Sequence, residues 1–151
     1  MTNSPLRPNA RRLRRVGWLL AVAIPCALRA FLLTTRGVDP DEFEHLHASF
    51  LVGRGQVPYR DFFEHHGPLL YYLVQTVPGS FDGGLEVLSR LRLGMWFCGL
   101  AALFVTYAVG VRIGGARVGA LAACLLSWST VFHFKSIELR PDVPAMLCVL
   151  V

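Results

Sequence analysis

From Leu93 to Val111 the chain runs without a charged residue, and that one stretch limits what it can fold into. The hydrocarbon core of a bilayer is about 30 Å thick and takes ~20 apolar helical residues to cross. Two further stretches come close to that requirement. Val16 to Leu33 is interrupted only by Arg29, and Val118 to Phe134 carries no charge beyond a proton on His133. With 54% hydrophobic residues and a mean hydropathy of +0.47, the composition points to a membrane protein rather than a water-soluble domain.

The expected fold is all-α and polytopic, with spans near residues 16–34, 93–111 and 118–134 and the start of a fourth at about 141. Pro141 to Val151 opens that fourth run and reaches only about halfway across the hydrocarbon. The chain therefore reads as the N-terminal part of a longer protein, inactive by itself, because a natural chain of this length would end its last helix in mid-bilayer. Residues 1–15 read as a disordered basic tail. The turn from Arg112 to Arg117, with Gly114-Gly115 inside it, is short enough to force an antiparallel hairpin.

Charge orients these spans. Arg7, Arg11, Arg12, Arg14 and Arg15 precede the first, and Arg112 and Arg117 flank the hairpin turn. Basic loops stay in the cytoplasm, so the N-terminus is expected inside and the loop over about 35–92 outside. All ten acids and all five histidines then fall on the outer side. The net charge of +5 is explained by the N-terminal arm and anionic headgroups and implies no nucleic-acid partner. Pro25 and Arg29 argue against a cleaved signal peptide. The four cysteines, Cys26, Cys98, Cys124 and Cys148, all lie in apolar segments, which speaks against a disulfide framework or a zinc knuckle.

The outer loop is too long for a simple connector. In it Phe43, Leu46, His47 and Phe50 recur with the period of an amphipathic helix, ended by Gly53, Gly55 and Pro58. A second short helix is expected from Pro68 to Val77, stopped at Pro78-Gly79. Both are too short to span and fit an interfacial position.

Three groups in this region could carry chemistry. Asp39-Pro40-Asp41-Glu42 reads as a helix start, with Asp39 as N-cap and Glu42 closing a capping box. That leaves Asp41 as a carboxylate on a rigid platform, placed to act as a general base. Glu64-His65-His66 could ligate a metal, but neighbours in sequence rarely point at one ion and no H-E-x-x-H motif is present. Protonated, the two imidazoles suit a phosphate better. The third group, Lys135, Glu138, Arg140 and Asp142, adds cations and carboxylates at the entry of the last helix. Arg29 either snorkels to the outer surface or adds another cation.

The strings DPDEFEH, GRGQVPYRD and EHHGPLLYYL, followed by Arg140-Pro141-Asp142, resemble the first outer loops of the GT-C glycosyltransferases. The likeness is to protein mannosyltransferases and lipid-A aminoarabinose transferases (glycosyltransferase family 39 and relatives). It covers nearly the whole chain. It implies an enzyme that moves a sugar from a polyprenyl-phosphate donor to a lipid, glycan or protein acceptor on the extracytoplasmic face of the cell envelope. Asp41 matches the family's catalytic aspartate, and Asp142 the second acid at the fourth span, with Glu138 weaker. Glu42 completes the Asp-Glu pair. Glu64 and His65 match a Glu-Lys pair beside the lipid phosphate, departing from it with His65 for lysine and Gly67 for the first proline. His65, His66, Lys135 and Arg140 would then stabilise the leaving phosphate. No organic cofactor is implied, and a divalent cation is left open. The rival reading is a membrane scaffold or lipid-phosphate binder without turnover. A transporter fragment would need its charges near mid-membrane, and here they cluster at the outer ends.

Overall fold

A computed structural model describes residues 8–78 and 84–150; among these all regular structure is helical, apart from one isolated bridge between Pro58 and Phe62. The elements are α1 (Pro8–Thr35), α2 (Pro40–Gly53), α3 (Leu69–Gln75), α4 (Gly84–Trp128), α5 (Thr130–Lys135) and α6 (Asp142–Leu150). Residues 1–7 and 79–83 lie outside the described part, and with them Arg7, Gly79 and Asp82.

Helix α1 starts at Pro8, so the basic stretch from there to Arg15 is helical rather than a disordered tail. Alanine, arginine and leucine are strong helix formers, and proline suits the first position because its missing N–H would be unpaired there anyway. Two helices are long and apolar enough to cross a membrane: α1 over Arg15–Thr35, and α4 over Glu86–Trp128.

The second of these is broken. Gly114 (φ −146°) and Gly115 (φ 80°) leave helical geometry, and the left-handed value at Gly115 favours glycine. The chain reverses there as the sequence predicts, and the two arms of α4 pack against each other. A Cβ on Gly110 would lie 2.7 Å from the Gly119 Cα, and one on Gly119 would lie 2.6 Å from the Tyr107 carbonyl oxygen. Only glycine permits this approach.

The second arm does not run straight to Phe134. It stops at Trp128, Ser129 is extended (φ −62°, ψ 123°), and α5 resumes at a new angle to the chain. No glycine or proline marks this break. The break is met from α1. Arg29, buried and not snorkelling, donates to the Ser127 carbonyl at 2.5 Å and stacks on Phe132 at 4.9 Å. One turn earlier, Pro25 has no N–H to give to the Ala21 carbonyl, its partner in an unbroken helix. The Trp128 indole N–H fills that vacancy at 2.7 Å.

Two apolar cores result. Ala48, Val52, Leu70 and Val74 of the short helices pack on Val87, Leu88 and Leu91 of α4. Ala102, Leu103, Phe132 and Val143 form the other, against Val22 and Met146. Helix α2 buries Glu42, His45, Ala48, Ser49 and Val52. Of the stripe that marked it as amphipathic, Phe43, 66% exposed, and His47 face outward, while Leu46 packs against the first core. The inward face is chosen by polar partners on α3 and α4, and the aromatic face is left outside.

Candidate functional site

The start of α2 organises the charged end of the fold. Asp39 accepts from the Asp41 N–H at 3.1 Å, and Glu42 Oε2 accepts from the Asp39 N–H at 3.1 Å, so the expected capping box forms. Glu42 does more than cap. Its carboxylate, wholly buried, accepts from Arg92 Nε at 2.9 Å and Nη2 at 2.5 Å, and from the Leu139 N–H at 3.1 Å. Arg92 in turn donates to the carbonyls of Leu33, Arg36 and Gly37. Burial raises the Glu42 pKa, but the Arg92 bond and the two backbone donors outweigh it and hold the carboxyl below its usual range. Glu42 is thus a structural tie between α2, α4 and the segment before α6. The substrate-binding place suggested by the sequence does not fit a carboxylate with no exposed surface.

Asp41, one residue earlier, points away from this knot and keeps about half its side chain exposed. It pairs with Arg140, whose Nε also donates to Asp142 at 2.7 Å. Residues 99 positions apart are brought together in this way, and both carboxylates singled out by sequence share one guanidinium. Glu138, buried, pairs with Arg36 and with Lys135 at 2.7 Å. Its two partners hold it inside, so Lys135 and Glu138 act mainly on each other. Arg36 also reaches Asp39 at 3.6 Å.

The Glu64-His65-His66 segment, in the loop between α2 and α3, forms a second group beside the same helix. Positions 41, 44 and 45 of α2 share a face by the i, i+3, i+4 rule. Tyr59 adopts a left-handed φ of 67°, uncommon for a residue with a side chain. Its hydroxyl donates to the His66 carbonyl at 2.5 Å and ties the loop to itself. Glu64 is buried, and its Oε1 accepts from the His65 and His66 N–H groups at 2.9 and 3.0 Å. Burial raises its pKa, but these bonds and one from Tyr71 prevail and keep it below the usual range. His66 Nδ1 lies 3.2 Å from the same oxygen. Burial, then Glu64, pushes the Tyr71 phenol up, while burial and then His66 push His45 down.

Sequence reasoning missed Arg92, Arg36, Glu44, His45 and Tyr71. Helical spacing from Asp41 could have found Glu44 and His45. The periodic series Leu88, Leu91, Arg92, Met95 could have flagged an arginine on an inward face. All four cysteines are free, Cys26, Cys98 and Cys124 half-buried and Cys148 exposed. Comparison with protein-family models, with curated proteins and with solved structures finds no match for this chain.

Proposed function

We propose that this chain is part of a multi-pass membrane glycosyltransferase that takes a sugar from a polyprenyl-phosphate donor and passes it to an acceptor outside the cytoplasm. One observation carries the reading. Asp41 stands half exposed on a capped helix at the end of long apolar helices, paired with a cation that also holds Asp142. The likeness of DPDEFEH and EHHGPLLYYL to GT-C enzymes points the same way.

The membrane setting has its own support. Only 17% of the apolar window of α1 and 28% of that of α4 is buried, far less than in the core helix of a soluble protein. Leu19, Ile24, Phe31, Phe97 and Phe104 all face outward. In this reading each arm of α4 is a span, α6 begins a fourth, and α2 rests its Phe43 face on the interface. The N-terminus is inside, by the arginines of the two inner segments. Labelling of cysteines placed at Gln56 and Ile113, in a cysteine-free background, tests this. Gln56 should react from outside and Ile113 only after permeabilisation.

In the proposed step, Asp41 takes the proton of the acceptor hydroxyl as its oxygen attacks the anomeric carbon. The bond from that carbon to the lipid phosphate breaks, and the phosphate leaves with the electron pair. Arg140 is then shared. A donor phosphate that draws the guanidinium away leaves Asp41 unpaired and ready to act as base. The test is transfer of a labelled sugar from short-chain polyprenyl-phosphate donors in membranes containing the whole transferase of which this chain is proposed to be part. Transfer above that of control membranes supports the enzyme. Saturable binding of polyprenyl phosphate with no transfer from any donor favours the lipid-phosphate binder.

A further inference from the structure

We propose that Glu44, Glu64, His65 and His66 bind one divalent transition-metal ion of the zinc class, which clamps the loop over residues 54–68 onto α2. One ligand atom from each of the four lies within 4.8 Å of all the others. Three separations are close to what such an ion needs. His66 Nδ1 is 3.2 Å and His65 Nδ1 3.7 Å from Glu64 Oε1, and His65 Nδ1 is 3.5 Å from Glu44 Oε1. A tetrahedral ion with bonds of about 2.0–2.1 Å sets its donors roughly 3.3 Å apart. The widest pair must close by about 1.5 Å, which the exposed Glu44 and His65 are free to do.

Sequence neighbours do converge here, contrary to the expectation for adjacent residues. The loop turns at Glu64, whose carboxylate folds back over its own next two N–H groups and meets both imidazoles. Those N–H groups and Tyr71 orient the carboxylate, the service that outer partners give a metal ligand. Two carboxylates balance a dication, and two neutral imidazoles complete a zinc-type donor set. The same carboxylates would repel a phosphate bound directly to His65 and His66.

A separate observation points to a ligand. His45, wholly buried, meets the His66 ring edge-on at 4.6 Å between centroids. Its Nδ1 is 3.3 Å from the Tyr71 hydroxyl, while its Nε2 has no hydrogen-bond partner among the described residues. A buried polar atom is thus left unsatisfied on a ring that touches one of the four ligands.

This site stands apart from the transferase reading and is tested without any activity. The chain, purified in detergent and stripped of metal, is titrated with zinc by calorimetry and with cobalt by visible absorption. One equivalent should bind, with cobalt bands of tetrahedral intensity. Glu44→Gln and His65→Ala alter exposed side chains and should each weaken zinc at least about tenfold. His47→Ala should leave binding unchanged. Zinc should raise the unfolding temperature of the unaltered chain and not that of Glu44→Gln. The proposal is overturned if folded protein takes up no zinc at about 100 µM, or if Glu44→Gln and His65→Ala bind as the unaltered chain does.

Discussion

Two carboxylates of the segment between α1 and α4, Glu42 and Glu64, are both buried and both held below their usual pKa, yet they are finished to different degrees. Glu42 meets a full guanidinium fork and two backbone N–H groups, and Arg92 spends its remaining donors on three carbonyls. Glu64 meets two backbone N–H groups and a phenol, and its other close neighbours are the His65 and His66 imidazoles. The first carboxylate is closed on all sides by fixed partners. The second opens onto groups that are half exposed and able to take another ligand. A buried charge whose partners are all supplied by the fold serves the fold, and one whose partners are labile is where chemistry can enter.

The comparison is broken most directly at Arg92. Arg92→Met leaves Glu42 buried and unpaired, and removal of one partner from such a pair costs about 3–5 kcal/mol. Thermal unfolding in detergent should show a loss of that size, and the Glu42→Gln/Arg92→Met double variant should recover much of it. Equal stability for Arg92→Met and the unaltered chain would remove Glu42 from its structural place.

Asp41 offers the next largest effect. As the base, Asp41→Asn should lower sugar transfer at least about 100-fold, while donor binding stays close to normal. Glu42→Gln is not a clean control, since it keeps the cap but strips the charge from beneath Arg92. Asp39→Asn is better, because asparagine caps helices about as well as aspartate. Near-normal transfer by folded Asp41→Asn would shift the base to Asp142.

A smaller effect is expected at Trp128. Trp128→Phe removes the bond to the Ala21 carbonyl and should cost about 1 kcal/mol. Combined with Pro25→Ala, which restores an N–H to that carbonyl, the same change should cost less. Additive losses in the two backgrounds would separate the indole from the proline.

The smallest lies in the exposed turn. Arg60, then the Val57 N–H, holds the Asp61 carboxyl down to about 2 from 3.8. A lowered carboxyl gives stability that is complete above its ordinary pKa and is lost as pH falls through the lowered one. Exchange protection of the Val57 amide should therefore persist at pH 5 and fade as pH approaches about 2. Protection that stays flat over this range would leave Asp61 without a part in the turn.

What the sequence made legible was local. The capping box spans four residues, the hairpin turn rests on two adjacent glycines, and both formed as read. The destination of Arg29 and the partner of Glu42 lie on other helices, 98 and 50 positions away, and no periodicity within one segment reveals them. The break at Ser129 stayed hidden for the same reason, since the side chain that takes up the Ser127 carbonyl comes from α1. In α2 the pattern was seen but its inward face was not, because polar partners outbid the aromatic stripe.

Pro25 gives α1 an address. A proline-free helix presents the same closed ladder at every turn, and a neighbour can slide along it or rotate about it at little cost. Here the Ala21 carbonyl is left open at one height and azimuth, and among the described residues the Trp128 indole answers it. A shift of the hairpin by one turn would strand the carbonyl on one side and the indole on the other. The proline and tryptophan act as a key and notch, fixing how far along α1 the hairpin stops, and with it the height at which Arg140 meets Asp41.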